Sequence, residues 1–314
     1  ARRQLLYTRN FLRLQYDLTW KEGTNIEHTL SPISITYNNG TAFTPEYQSQ
    51  INRYPVLYYA NLPEIIPGAF YNYTLNSKNP RAANIIYFNG NIDIAGNLLG
   101  LFNKPDTTFS KKIIGAYFAQ YAKFDFDFRY LRKLADNTYW ANRLNVGVGY
   151  PYGNSVYLPF SRQFIIGGSN SLRGFRPRQV GPGRVVTTAE QQVTYPQIGG
   201  DYKLEFQTEL RFPLISKLRG ALFADMGNIW MKNDLLYGSE GRLTNQFMKD
   251  LAVDGGIGLR LDINILIIRL DVGIPLRKPW LPQGSEWVIK DINFGGKDWR
   301  RDNLVFNFGI GYPF

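Results

Sequence analysis

Alternation of side-chain type along the chain is the feature that most limits what this sequence can fold into. In residues 122–131, aromatic and charged side chains take turns, with Phe124, Phe126, Phe128 and Tyr130 set against Lys123, Asp125, Asp127 and Arg129. Successive side chains of a β-strand point to opposite faces, so this segment predicts a strand with one apolar face and one charged face. The same pattern recurs in five further segments, at residues 12–20, 202–212, 252–263, 264–274 and 304–314.

The length of these segments indicates a membrane protein rather than a soluble sheet. Each has about ten residues, whereas strands of globular proteins average about 5–6 residues and tilted membrane-spanning strands need about 9–11. Their apolar faces carry no charge, while the opposite faces carry both signs of charge. This arrangement is typical of strands with lipid outside and a polar interior. The expected fold class is therefore all-β, a transmembrane antiparallel β-barrel.

The number of strands and the spacing between them fit this class. Five weaker candidates, at 32–38, 68–76, 83–95, 138–150 and 218–230, raise the count to eleven, and residues 5–9 offer one more. Bacterial barrels formed by one chain usually have even strand numbers, so about twelve strands are expected. Tight connections alternate with long polar ones, at 39–66, 97–112, 161–199 and 276–302, as periplasmic turns alternate with external loops.

Composition excludes several classes of function. The chain has no cysteine and one histidine, His28, so disulfides, thiolate metal sites and nucleophile systems with a histidine base are not expected. Neither a cofactor nor catalysis is expected. The net charge of +11 fits either solvated basic loops or contact with anionic lipid headgroups or lipopolysaccharide. Nucleic-acid binding is disfavoured because the basic residues are spread along strands.

One long connection differs from the others. Residues 167–183 contain five glycines and two prolines, which predicts specified tight turns, together with arginines at 173, 176 and 178. Composition alone leaves two interpretations open, a solvated external loop and a binding loop.

Four motifs in this region resemble a known family. Leu172-Arg173-Gly174-Phe175 follows residues 167–171; Glu209 to Pro213 and Phe223 to Asn228 come next, and Gly309 to Phe314 ends the chain. In this order they resemble the BamA/TamA superfamily of outer-membrane insertases and translocases, the bacterial surface antigen barrels. The resemblance covers roughly residues 110–314, with weaker motifs before residue 110. It implies location in the outer membrane of a Gram-negative bacterium.

The resemblance also implies a site inside the barrel. In the family the signature loop, here within 161–199, folds back into the lumen, and its arginine contacts acidic groups of the inner wall. By motif match the arginine is Arg173, flanked by Gly174 and Phe175, and the acidic partners are Glu209 and Asp225. The alternative is that Arg173 is solvated on an external loop.

The end of the chain allows two interpretations that are compatible with each other. Tyr312 and Phe314 continue the apolar face of the last segment, and both are expected on the lipid side. The resemblance additionally implies that Gly309, Tyr312 and Phe314 belong to a C-terminal signal read by the barrel assembly machinery.

The resemblance implies that client strands are templated at a lateral seam of the barrel, without covalent chemistry. Clients would be unfolded outer-membrane proteins or an exported protein, with accessory lipoproteins as further partners. A passive porin or receptor and a substrate-specific secretion pore remain alternatives. Family barrels have 16 strands and periplasmic POTRA domains. Residues 1–314 are therefore expected to be a single barrel domain that lacks N-terminal strands and those domains.

Overall fold

A computed structural model describes residues 6–77, 82–103, 111–186, 199–263 and 265–314. The fold is all-β and consists of a 13-stranded sheet. The strands are β1 (Thr8–Glu22), β2 (Ile26–Thr41), β3 (Glu64–Asn76), β4 (Asn84–Ala95), β5 (Lys112–Ile113), β6 (Ala116–Phe118), β7 (Tyr121–Ala135), β8 (Thr138–Pro151), β9 (Tyr202–Ile215), β10 (Leu218–Trp230), β11 (Ala252–Asp262), β12 (Ile267–Arg277) and β13 (Val305–Ile310).

The helices are short and lie in the connections between strands. They are α1 (Pro45–Arg53), α2 (Pro55–Ala60), α3 (Asn97–Phe102) and α4 (Lys297–Asn303), with 3-10 turns at Ser239–Gly241, Phe247–Asp250 and Ile289–Asp291. In the described ranges, no helix combines the length and the hydrophobicity needed to cross a membrane.

The long strands follow one another in the sheet in chain order, from β1 to β4 and then from β7 to β13. The short strands β5 and β6 pair with each other, and β6 also runs parallel to β3. Tight turns at 23–25, 136–137 and 216–217 alternate with long connections at 42–63, 96–120, 152–201, 231–251 and 278–304. The predicted rhythm of short and long connections is therefore confirmed.

The count of about twelve strands is close to the thirteen observed, but the twelfth strand was wrongly placed. Residues 1–5 lie outside the described part of the chain, and Thr8 and Arg9 belong to β1 rather than to a separate strand. The additional strands are the two short ones, β5 and β6, which have only two and three residues.

The chain divides into two compact units. The first consists of Ala1–Tyr73, Gly90–Asp125 and Val148–Gln163. In it, the polar side chains of Ser34 and Thr36 on β2 are buried, whereas Ile33 and Ile35, which alternate with them, are exposed. An apolar core forms around α1 and α2, where Thr44 caps α1 by accepting a hydrogen bond from the backbone N–H of Tyr47.

The second unit consists of Thr74–Asn89, Phe126–Gly147 and Phe164–Phe314. Its strands also bury their polar faces: Glu209 on β9 and Arg260 on β11 are fully buried, whereas Ile257 and Leu259 on β11 are exposed. Soluble proteins rarely bury charged residues while exposing aliphatic ones. The inversion matches strands that turn their apolar face to lipid.

The last strand ends earlier than predicted. β13 stops at Ile310, and Gly311 adopts a left-handed φ of 85° that turns the chain out of the strand direction. Tyr312 and Phe314 consequently leave the apolar face, and the guanidinium of Arg211 lies 4.1 Å from the centre of the Tyr312 ring. The expectation that both side chains face lipid is therefore wrong.

Candidate functional site

Residues 164–183, here called the Arg173 loop, begin with a backbone bridge. Phe164 pairs antiparallel with Gly200, and each residue donates its N–H to the other's carbonyl at 2.9 Å. Gly168 then donates its N–H to the carbonyls of Leu172 and Phe175, at 3.2 and 3.0 Å. These bonds close the loop on itself, so that the signature residues sit in one compact turn.

Arg173 is completely buried and all of its guanidinium nitrogens have acceptors. Its Nε and Nη2 donate to the two carboxylate oxygens of Asp225, both at 2.8 Å, and Nη1 donates to Glu209. The backbone N–H of Arg173 donates to Asp225 as well, at 3.2 Å. The central carbon of the guanidinium lies over the ring of Phe223, 3.7 Å from its centre. Bidentate pairing and stacking on a ring are the interactions that favour arginine over lysine.

The register between β9 and β10 explains why these partners meet. Phe223 is directly opposite Glu209, and Asp225 is directly opposite Gln207. Residues opposite each other in an antiparallel pair share one face of the sheet. The four side chains therefore form one patch on the polar face, in which Phe223 neighbours Glu209 across the strands and Asp225 along β10.

Further arginines extend this patch into a buried network. Glu209 also accepts a hydrogen bond from Arg211, at 2.7 Å, and one from Arg260, at 3.0 Å. Arg260 continues to Asp271 at 2.5 Å. Each of these charged side chains is at most 4% exposed. An ion pair removed from water is stable only when further hydrogen bonds satisfy the remaining groups, and Glu209 meets part of this requirement by accepting from three arginines.

Side chains of the strands also hold the backbone of the loop. Asn307 on β13 donates to the carbonyl of Arg173 at 2.8 Å, and Gln207 on β9 donates to the carbonyl of Ser171 at 2.6 Å. On β8, Arg143 reaches the carbonyl of Asn170 at 3.0 Å. The loop is therefore positioned by several strands and not by the Arg173 ion pair alone.

Close packing completes the seat of the loop. A Cβ atom on Gly174 would lie 2.8 Å from the backbone of Ile274, and one on Gly273 would lie 2.7 Å from the carbonyl oxygen of Arg173. Both positions require glycine because two backbones approach each other there. Phe175 is fully buried and packs edge-on against Trp280, with ring centres 5.9 Å apart.

Of the residues named for the C-terminal signal, Gly309 lies against the guanidinium of Arg269. A Cβ at this position would be 2.6 Å from Nη2 of Arg269. Phe314 accepts a hydrogen bond from Arg211 through its backbone carbonyl, at 3.1 Å. The end of the chain thus contacts Arg211, one of the arginines that bind Glu209.

Sequence reasoning named Arg173, Glu209 and Asp225, which the structure brings together, but missed Phe223, Asn307 and Gln207. The period of two gave a usable signal for Asn307 and Gln207, because both lie on polar faces of strands. It could not show which backbone would cross them. In the described part of the chain, no three His, Cys, Asp or Glu side chains are arranged to hold a metal ion.

Comparison with known proteins places this geometry in a family. The sequence matches the Omp85 superfamily domain over residues 8–314. It is 33% identical over 90 residues to the outer membrane protein assembly factor BamA of Neisseria meningitidis serogroup B, an alignment that covers 27% of this chain and 11% of that protein.

Two solved structures are similar. BamA from Haemophilus ducreyi lacking POTRA domains 1–3 gives a TM-score of 0.59 at 15% identity, over 87% of this chain and 52% of that one. CdiB from Escherichia coli gives a TM-score of 0.49 at 12% identity, over 85% and 41%. The chain thus spans about half the length of the solved BamA chain, whose likeness at this identity shows the fold.

The match over residues 8–314 covers nearly the whole chain and agrees with the all-β fold of strands that bury their polar faces. The chain therefore belongs to the Omp85 superfamily of Gram-negative outer-membrane β-barrel proteins.

Proposed function

We propose that this chain is the barrel part of a protein that assembles or inserts other proteins in the outer membrane, with the Arg173 loop as an internal latch. The observation that carries the proposal is the full burial of Arg173 between Asp225 and Glu209. The relative from Neisseria meningitidis, an outer membrane protein assembly factor, supports the same assignment. The clients would be unfolded outer-membrane proteins, with accessory lipoproteins as further partners.

The energetic character of the latch supports a mechanical role. Removing one partner from a buried ion pair costs about 3–5 kcal/mol, because the other charge is left without compensation. Arg173 has two acidic partners, and its carbonyl is held by Asn307 on β13. Such a loop adopts either a seated or a released state, with little in between. In this proposal residues 1–314 act as a single barrel domain, and the described residues of the loop of 161–199 lie inside it; residues 187–198 are outside the described part of the chain.

The short final strand supports templating at a seam. β13 has six residues, whereas its partner β12 has eleven. Gly309 lies within β13, and glycine in a strand interior weakens it. A weakly paired terminal strand exposes backbone N–H and C=O groups, which are a ready template for a client strand. The driving force is strand pairing and burial of apolar client surface in lipid.

The buried network speaks against a passive pore. A water-filled channel exposes its polar lining, but Glu209, Arg260 and Asp271 on the polar faces of β9, β11 and β12 are at most 1% exposed. The Arg173 loop covers this surface through its contacts with Gln207 and Asn307.

The test is client folding in liposomes that contain the full-length protein. We expect the protein to accelerate folding of an unfolded outer-membrane barrel, and Arg173→Ala to remove most of that acceleration. Arg176→Ala is the matched control, because this arginine lies in the same loop but is exposed. Folding no faster than in empty liposomes would reject the insertase. A large, steady conductance unaffected by deletion of the loop would instead favour a porin.

A further inference from the structure

The first compact unit has an apolar groove that no charged residue lines. The groove has a volume of about 340 Å³, within the range of about 300–1,000 Å³ found for ligand pockets. Polar side chains contribute only Ser34 and Asn97, and no charged residue lines it. Its main walls come from β2, β3, β4 and α3, through Ile33, Ile35, Ala69, Ile94, Leu98 and Leu99.

Small residues and a sharp turn create this groove. Gly68 and Ala69 on β3 leave a depression between the isoleucines of β2 and Ile94 of β4. Gly96 directly follows β4 with a left-handed φ of 75°, and its N–H donates to the carbonyl of Pro67 at 2.7 Å. This turn sends the chain into α3, whose leucines close one side of the groove.

The groove opens on the face of the strands that meets lipid. On β2 the polar Ser34 and Thr36 are buried, whereas Ile33, a groove residue, is 58% exposed. The apolar face continues onto α3, where Leu98, Leu101 and Phe102 are 75%, 69% and 84% exposed. Exposed apolar side chains of this density mark an interaction surface, and in an outer-membrane protein that surface faces lipid.

The position of α3 assigns the groove to one leaflet. α3 lies in the long connection at 96–120, whereas the turns at 23–25 and 136–137 are tight. Outer-membrane barrels have short periplasmic turns and longer external loops, so the groove lies at the external end of β4. The lipid of the external leaflet is lipopolysaccharide, which is anionic. The exposed Lys112 in the same connection and the net charge of +11 suit such a lipid.

We infer that this groove binds one acyl chain of the lipid A part of lipopolysaccharide, with α3 lying in the external interface of the bilayer. The lining selects a hydrocarbon chain because burial of each methylene group is favourable. No charged residue lines the groove, so the groove itself offers no ion pair to a lipid headgroup. The site is independent of the Arg173 latch, and it rests on the outer-membrane location alone.

The test measures lipid that stays bound when the full-length protein is purified from lipopolysaccharide-containing membranes in mild detergent. Mass spectrometry of 3-hydroxyacyl chains reports lipopolysaccharide, and other acyl chains report phospholipid. Ala69→Phe fills the groove, and Ile257→Phe places the same ring on the apolar face of β11. We expect Ala69→Phe to reduce bound lipopolysaccharide about tenfold, since excluding about two methylene groups suffices for that factor. The Ile257→Phe variant should match the unmodified protein.

Two outcomes would overturn the inference: equal lipopolysaccharide in Ala69→Phe and Ile257→Phe, whether reduced in both or in neither, or phospholipid as the retained lipid. Leu99→Ser provides an independent variant if Ala69→Phe does not reach the folded state. It introduces a hydroxyl into the wall formed by α3 without adding volume. It should also lower bound lipopolysaccharide, and undiminished binding in this variant would contradict the site.

Discussion

β1 and β9 carry the same alternation in sequence, yet their polar faces differ in exposure. Arg13 and Asp17 on β1 are exposed, whereas Glu205 and Glu209 on β9 have no exposed surface. On β9, Gln207 and Glu209 bind the Arg173 loop. The difference shows that alternation decides which face is polar, while a separate segment of the chain decides whether that face is covered. The charged side chains of β1 and β9 are therefore expected to contribute differently to the free energy of unfolding, although the two strands alternate in the same way.

Removal of the Arg173 side chain, which binds the polar face of β9, should have the largest effect on stability. We expect Arg173→Ala to lower the free energy of unfolding by about 3–5 kcal/mol, because Asp225 remains buried without its arginine, whereas Glu209 keeps Arg211 and Arg260. Urea unfolding of the barrel in detergent micelles measures the change. Arg13→Ala on β1 is the control, and a surface substitution of this kind should change stability by less than about 0.5 kcal/mol. Equal effects would remove the distinction between the two strands.

The partner of Arg173 can be tested by exchanging charges. Arg173→Glu alone places a third carboxylate beside Asp225 and Glu209, and Glu209→Arg in the same chain should restore part of the lost stability. Coupling between residues in contact is about 0.5–3 kcal/mol. Restoration should be incomplete, because Arg211 and Arg260 also bind Glu209. Purely additive losses in a double-mutant cycle would contradict the pairing.

The close approach of the loop to β12 predicts a smaller loss. Gly174→Ala should destabilise by about 1–3 kcal/mol, the usual result of overpacking, since its Cβ would meet the backbone of Ile274. Limited proteolysis of the loop, together with urea unfolding, reports the change. Gly295→Ala is matched in chemistry, but its nearest neighbour would be 3.5 Å away. A loss in Gly295→Ala as large as that in Gly174→Ala would indicate a general effect of losing glycine.

The smallest effect is expected at the turned end of the chain. Tyr312→Leu removes the ring from the buried Arg211, and a cation–π contact contributes from about 0.5 kcal/mol when exposed to about 2 kcal/mol when desolvated. Phe308→Leu on the apolar face of β13 is the control for loss of a ring at a lipid-facing position. If both variants lose the same stability, the ring of Tyr312 contributes only as an apolar side chain.

The positions of the long strands could be predicted from sequence because a period of two is a local property. The expectation of 218–230 coincides with β10 (Leu218–Trp230), and 202–212 lies within β9 (Tyr202–Ile215). The short helices could not be predicted in this way, since six-residue segments such as α3 show too little of a helical period. The end of β13 could not be predicted either. The alternation of apolar residues continues in sequence to Phe314, but the left-handed backbone of Gly311 ends the strand before it.

The residues of the candidate site could likewise be predicted only in part from the sequence. Resemblance supplied Arg173, Glu209 and Asp225, which carry recognisable motifs. Nothing local marks Asn307 as the residue that holds the carbonyl of Arg173, because the two lie 134 residues apart in sequence. Contacts of this range depend on how the loop crosses the strands, and that is decided by packing around Gly174 and Gly273.

The hydrogen bond from Asn307 to Arg173 also has a consequence for the order of events in folding. Its donor lies on β13, 134 residues after its acceptor in the Arg173 loop. A contact of such long range forms late, because the intervening chain must first be ordered. Complete seating of the loop therefore signals that the C-terminal strand has arrived. A truncated or misregistered chain would lack this signal and would leave its central loop open to periplasmic proteases.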